Sequence, residues 1–572
     1  MELKNEGLSF TPSLPQKDGL TQQAERAAQL FLSREVYTYS APTVLPMPMT
    51  GKVAAAVQAF DLADWLAKWI ANQGETLADI ELWKFETKSQ PLATFADYAK
   101  IFTLFPIPDV VETWQDDKIF ASQRLAGLNP LAISLVTVDG TAGIGWSQLA
   151  PRLSPQINDQ VFKSFPGLGL SIQQTIQQQR LYVTDFASLQ GVIPSSEFPL
   201  APIALYVKTD DFEGLQPVAI QLTQDSSDTH VYLASQGHQP AQQDQWLMAQ
   251  LFLQCADLSQ NQAVNHLALT HLIEEAFALA TQRHLALQHP LYRLLTNHFT
   301  ALILINQIGL LTLLNEGGLI DQVLQVRLKG ALQLIRDPYQ NWTFDDLSFP
   351  ANLSKRGVAD PALLPYYPYR DDGMLIWQRL GSYINEYVAL YYLSDNNVTG
   401  DFELQNWAQE LAGTLDNGAG KVPGCPEQIT TRAQLAEILQ RIIWTAGPQH
   451  AVVNFPQVEI TTFIPNAPGT LADPLTNPAG ESDLVKLLPD KAVTEVQVKL
   501  SYTLAGLNYD QLLNYHLDHD DGSDALVRHY QTKLLTDDRP KIVTRNQQRA
   551  AQPGLLIYPY FLQENIPNST SV

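Results

Sequence analysis

The spacing of apolar positions changes character along the chain. It predicts a short helix over 21–33 and a longer one over 50–71, where Val53, Val57, Phe60, Leu62, Trp65, Leu66, Trp69 and Ile70 keep helical intervals. Trp65 and Trp69 share one stripe, which suits a core seam or a membrane interface. Lys52 and Lys68 cancel Asp61 and Asp64, so charge does not draw that stripe to lipid. Between about 130 and 235 the pattern shortens into strand-like runs at 131–138, 181–183, 217–222 and 231–233, separated by turn residues. From Gln245 onward the helical period returns over 245–280, 290–328, 373–395, 403–413 and 432–455, and the proline-rich stretch 466–481 reads as a loop. The longest apolar stretch, 299–314, carries Thr300, Asn306, Gln307 and Thr312. It falls short of the roughly 20 apolar residues of a spanning helix and predicts a buried one. The expected fold is mainly α, with a small β-containing subregion and a helical N-terminal extension.

Composition narrows the function. In 572 residues, 45% are hydrophobic and only 17% charged, enough to bury a large core and to exclude wholesale disorder. The net charge of −23 excludes a basic nucleic-acid binder and disfavours electrostatic docking on anionic membranes. Two cysteines make no disulfide framework, and the start lacks a basic-then-apolar signal pattern, so a cytoplasmic protein is expected.

Histidines are the candidate chemistry. Five of the eleven, His266, His271, His284, His289 and His298, fall in one window. His266 and His271 are five apart, about 140° around a regular helix, and could not share a metal there. A π-bulge between them would bring them to one face, and such bulges gather at functional sites. His450 and Asn454, at i and i+4, share a face of an apolar helix. Three imidazoles and an amide oxygen suit a borderline metal such as iron. The competing cluster, His516 to Asp521, reads as a solvated acidic turn. No G-x-S-x-G and no Walker spacing is present.

Longer motifs accompany these histidines. They are Ala280-Thr281-Gln282-Arg283-His284-Leu285, His289-Pro290-Leu291-Tyr292-Arg293-Leu294-Leu295-Thr296-Asn297-His298, Lys355-Arg356-Gly357, Tyr367-Pro368-Tyr369 with Asp372-Gly373, His450-Ala451-Val452-Val453-Asn454-Phe455 and the tail Ile566-Pro567-Asn568-Ser569-Thr570-Ser571-Val572. Together and in this order they resemble a lipoxygenase of the bacterial or cyanobacterial type, from about Trp114 to Val572. The resemblance implies a lipoxygenase catalytic domain over 113–572 and an N-terminal helical extension over 1–112, without the PLAT-type β-barrel of many eukaryotic members. Three departures stand out: Val572 where the family usually ends in isoleucine, Asn261 where many members have a further histidine, and Ala467 near the place of a plant arginine close to the substrate carboxylate.

That resemblance implies one non-haem iron (Fe2+/Fe3+) held by His266, His271, His450, Asn454 and the carboxylate of Val572. It implies a polyunsaturated fatty acid and molecular oxygen as substrates. A ferric hydroxide takes hydrogen from the methylene between two cis double bonds, and oxygen adds to the radical. Gln262 and Gln457 match glutamines that connect the substrate cavity to Asn454. Gly309 occupies the position where alanine accompanies S products and glycine R products. An R-configured hydroperoxide is expected, 9R from linoleate, with the methyl end entering first toward an apolar lining of Leu313, Ile320, Val323 and Leu324. The chain is expected to be a monomer that meets membranes peripherally through its N-terminal helices. The reading from a different class is a lipid-surface binding protein with a retired metal site.

Overall fold

The longest helical run, Gln243 to His284, is buried on every side over most of its length, as an apolar surface all round demands. It is α-helical over Gln243–Gln260, π-helical over Asn261–Leu272 and α-helical again over Ile273–His284. The computed structural model describes residues 11–40, 47, 49–52, 67, 74, 77–78, 80–84, 91–192, 198–237, 239, 242–415, 420–505, 509–517 and 522–571. The few polar side chains on the central run find partners: Asp257 accepts from Arg124 and, at 2.8 Å, from Asn129 Nδ2.

Other helices pack around this axis. Helix Phe402–Ala412 lies against Ile273–His284, and Pro368–Tyr391 against Arg432–Trp444. Buried ion pairs lock the outer layer, among them Asp372 with Arg549 at 2.6 Å and Arg26 with Glu403 at 3.0 Å. His289 donates to Asp401 at 3.0 Å and His284 pairs with Glu410, so these two histidines are structural.

Strands are few. β1 (Thr38–Tyr39) pairs with β2 (Thr50–Lys52) near the N-terminus. A six-stranded sheet comprises β3 (Ile133–Thr137), β4 (Ile144–Gly145), β5 (Leu181–Asp185), β6 (Ile203–Val207), β7 (Gln216–Gln221) and β8 (Val231–Leu233). Its order is β4-β3-β5-β6-β7-β8, antiparallel except for β3 with β4. The fold is thus mainly α with a small β subregion, as the patterning predicts.

The structure corrects three local readings. Thr50 opens a strand, and its N–H donates to buried Glu275 Oε1 at 2.7 Å; the rest of the 50–71 stretch, with Trp65 and Trp69, lies almost wholly outside the described residues. The expected helix over 290–328 is several pieces: Pro290–Leu295, a 3₁₀ turn Thr296–His298, Leu302–Thr312 and Leu319–Val323. Ala301 breaks it in a left-handed conformation, φ 57°. By length and composition Pro290–Thr312 is apolar enough to cross a membrane. The break divides it, and helix Leu302–Thr312 is only partly buried, with Leu311 74% exposed. Finally, β6 went unread: Ile-Ala-Leu-Tyr-Val is buried on both faces and shows no alternation.

Candidate metal centre

Hydrogen bonding from i to i+5 stacks residues five apart, and the π segment Asn261–Leu272 does this to His266 and His271. Thr270 Oγ1 donates to the carbonyl of His266, supporting the widened turn. A second π segment, Thr445–Gln449, contains Pro448, which has no N–H for a regular ladder, and delivers His450 at the start of helix His450–Asn454. The first π segment is tied to helix His450–Asn454 by Asn261 Nδ2, which donates to Val453 O at 3.0 Å. Three ring nitrogens meet as a result. His266 Nε2 lies 3.2 Å from His271 Nε2 and 3.3 Å from His450 Nε2, and the last two are 3.2 Å apart.

The protonation of these rings follows from their partners. Asn306 Nδ2 donates to His271 O and Glu275 Oε2, so Asn306 Oδ1 is the acceptor for His271 Nδ1–H at 3.2 Å. Gln262 Nε2 donates to Gln457 Oε1 at 2.5 Å, so Gln262 Oε1 accepts from His266 Nδ1–H at 3.0 Å. Both rings therefore aim an Nε2 lone pair at the common point. Burial holds His266 and His450 well below the usual imidazole range, helped by the neighbouring rings, and lowers His271 to about 4. Neutral imidazoles converging in a water-poor site repel one another unless a cation lies between them. Ring nitrogens about 2.1 Å from one ion, at right angles, would stand about 3 Å apart, close to the separations found. The trio fits one metal ion.

A chain of amides extends from the trio. Gln457 Nε2 donates to Asn454 Oδ1 at 2.6 Å, and Asn454 Nδ2 to Leu504 O at 2.7 Å, so His266, Gln262, Gln457 and Asn454 form one buried line. Truncating Gln457 removes one of the two bonds that hold each of Gln262 and Asn454. Gln457→Ala is expected to retain metal by elemental analysis while turnover falls about tenfold or more, the usual loss for such partners. Equal turnover would reduce Gln457 to a packing residue.

The C-terminal tail enters the same core. Asn568 N donates to Asp510 O, Leu513 N donates to Asn568 Oδ1, and His298 Nδ1 donates to Asn568 O, each at 2.8 Å; Ser569 Oγ reaches Thr300 O at 2.8 Å. Leu513 takes a left-handed φ of 60°, a costly conformation for a bulky residue, while its N–H reaches Asn568. Thr570 is fully buried; Val572, and with it the expected carboxylate ligand, lies outside the described residues. Gly447, three residues before His450, makes room: a Cβ there would stand 2.5 Å from Pro567 O. Gly447→Ala is therefore expected to displace the tail, read as protease sensitivity near 566–571, and to lower bound metal. A variant with parental metal and a protected tail would overturn this.

An apolar cavity of about 400 Å³ opens on His266 and His271. Ile305, Ile308, Gly309 and Leu313 line it from helix Leu302–Thr312 and just beyond, Ile320 and Leu324 line it from the next segment, and Leu500 and Thr503 from helix Lys491–Ala505. Gln262 also reaches it. Of the expected pocket residues, Val323 is not among the lining: it is buried against Gly469, because its turn faces that loop. A methyl on Gly309 would meet only Leu313 Cδ1, at 3.7 Å. No neighbour among the described residues needs a glycine there. Sequence reasoning missed Asn306 as a partner of His271, and the whole helix Lys491–Ala505, whose valines at 493, 496 and 498 blur the helical period. His516 is exposed and accompanies Asp524 at 3.3 Å; residues 518–521 lie outside the description.

A mainly helical fold thus carries a three-histidine cluster that could hold a metal ion, facing an apolar cavity. The comparisons agree: the lipoxygenase family pattern matches residues 40–533. The chain belongs to the lipoxygenase family and is an oxidoreductase of the dioxygenase type. It is 34% identical to the linoleate 9/13-lipoxygenase of Pseudomonas aeruginosa, over 83% of this chain and 69% of that one. It is 30% identical to the allene oxide synthase-lipoxygenase protein of Plexaura homomalla, over 81% of this chain but 44% of that longer protein. The chain spans about half the length of several other relatives, such as the mouse arachidonate 12-lipoxygenase, 12R-type, at 54%. An anaerobic crystal structure of a LOX variant in complex with arachidonate superposes with TM-score 0.85 at 26% identity, covering 98% of this chain and 84% of that one. The coral 8R-lipoxygenase gives 0.81 at 26%, covering 98% and 83%.

Proposed function

We propose that this protein adds molecular oxygen to polyunsaturated fatty acids bearing a cis,cis-pentadiene, linoleate among them, and releases R-configured hydroperoxides, 9R from linoleate. The observation that carries the reading is the apolar cavity that runs from the histidine trio past Gly309. Names of relatives support the substrate class: linoleate for the P. aeruginosa protein, arachidonate for the mouse protein and the structural neighbour. The residues that would hold an iron ion are His266, His271, His450, Asn454 and the carboxylate of Val572. Bound iron supplies the one-electron oxidation that removes the bis-allylic hydrogen.

The chain's own residues do the rest. Leucine and isoleucine walls exclude water and hold the pentadiene beside His266 and His271. Asn306 and Gln262 fix the two imidazole tautomers. Gly309 leaves space beside one end of the pentadiene, so oxygen can approach there. An intact trio and its amide line favour an enzyme over a lipid-surface binder with a retired site. The test is iron content of the purified protein, diene absorbance on adding linoleate, and chiral chromatography of the product. An iron-loaded protein that forms no diene would end the reading, and an S product would end its stereochemical part.

A further inference from the structure

The cavity's walls are apolar, yet one lysine stands among them. Lys499 is the only Lys or Arg among the described residues that line it. We propose that Lys499 is the cation that holds the fatty-acid carboxylate at the open end of the cavity. This rests on the fatty-acid reading above and adds the residue that orients the chain.

Three observations carry it. First, the Lys499 ammonium has no ion pair or hydrogen bond with any described residue, although the protein is strongly acidic. Glu495, one turn earlier on the same helix, is taken by Lys84 at 2.6 Å. The Lys499 backbone carbonyl accepts from Thr503 Oγ1 at 2.7 Å, a bond that does not involve the side chain. Second, Lys499 is only partly buried, as are Leu313, Leu314, Leu319 and Thr503 on the same walls, whereas Leu500, Ile320, Leu324, His266 and His271 are buried. A lysine in such a wall can lay its methylenes on the apolar surface and keep its ammonium near water, which suits it to an end where the cavity meets solvent. Third, the helix fixes its distance from the chemistry. Leu504 O accepts from Asn454 Nδ2, so the C-terminal end of Lys491–Ala505 abuts the metal centre. Lys499 lies five residues back, about 7.5 Å along the axis. A carboxylate held there keeps its charge away from the histidines, while the acyl chain runs inward past Gly309. The methyl end then leads, and the ammonium gains the counter-ion that its apolar wall withholds.

The experiment measures affinity of the purified full chain for oleate and for oleyl alcohol, which lack a pentadiene and are not consumed. Lys499→Gln and Lys499→Arg are compared with the parent, and diene formation from linoleate is recorded on each. The parent is expected to prefer oleate over the alcohol by about tenfold, equivalent to about 1.4 kcal/mol. Lys499→Gln should bring that ratio close to one and raise the KM for linoleate more than it lowers kcat; Lys499→Arg should keep the preference. An unaltered ratio in Lys499→Gln, with diene still formed by the parent, overturns the proposal and leaves the dioxygenase reading in place. A collapsed ratio with no diene from the parent upholds Lys499 as the carboxylate site and overturns the dioxygenase reading instead.

Discussion

His450→Ala protein, purified beside the parent, is expected to carry no bound metal and to form no conjugated diene from linoleate, with its helical content largely kept. The ring sits 3.2 and 3.3 Å from the other two Nε2 atoms, so its loss opens the trio on one side. Two neutral imidazoles, a weak amide and the one carboxylate leave the ion under-coordinated in competition with water. Metal assistance is worth several kcal/mol, so turnover should fall by about a thousandfold or more at about 1.4 kcal/mol per decade. His266→Ala and His271→Ala should behave alike, because their Nδ1–H groups are held by Gln262 and Asn306 for the same purpose. Elemental analysis, diene absorbance and far-ultraviolet circular dichroism check this together. A His450→Ala protein that keeps its metal would mean that the ion sits elsewhere.

Gly309→Ala is expected to turn the product from the R hydroperoxide toward the S hydroperoxide at the opposite end of the pentadiene. The added methyl would stand in the cavity, with Leu313 Cδ1 at 3.7 Å as its one close neighbour. It therefore fits without moving the protein and takes space from the reacting chain or from oxygen. Alanine in place of glycine inside helix Leu302–Thr312 should also stabilise the helix by about 1 kcal/mol, so a changed product could not be blamed on a damaged fold. A tenfold change in the R:S ratio requires only about 1.4 kcal/mol of difference between two oxygen approaches. Chiral chromatography of the linoleate products reads the ratio directly. The same ratio from both proteins would leave Gly309 without a role in selectivity.

Some of this was legible in local pattern and some was not. The helical period located the buried axis and the His450 helix, and the apolar runs located four of the six strands of the main sheet. Val323 shows the limit: its spacing with Ile320 and Leu324 suggested one lining face, but it packs on Gly469, a loop residue far along the chain. Lys499 shows another, since no local pattern distinguishes a surface lysine from one set in the wall of a cavity.

The sequence by itself determined the ingredients: two histidines five apart on an apolar run, a histidine and an asparagine four apart on another, a glycine inside an apolar helix, and a motif order that resembles one family. These are short-range facts, and backbone geometry turns them into faces and turns without help from the rest of the chain. Only the tertiary structure decided that two separate π segments coincide in space, that Asn306 and Gln262 set the imidazole tautomers, that Gly447 yields to the tail and that Lys499 faces the cavity. These depend on contacts between residues tens to hundreds of positions apart; even Gln262, four residues from His266, is turned by Gln457, 195 positions away. Such contacts are selected by how whole helices pack and bury their polar groups, a property of the assembled core that no single window of sequence contains.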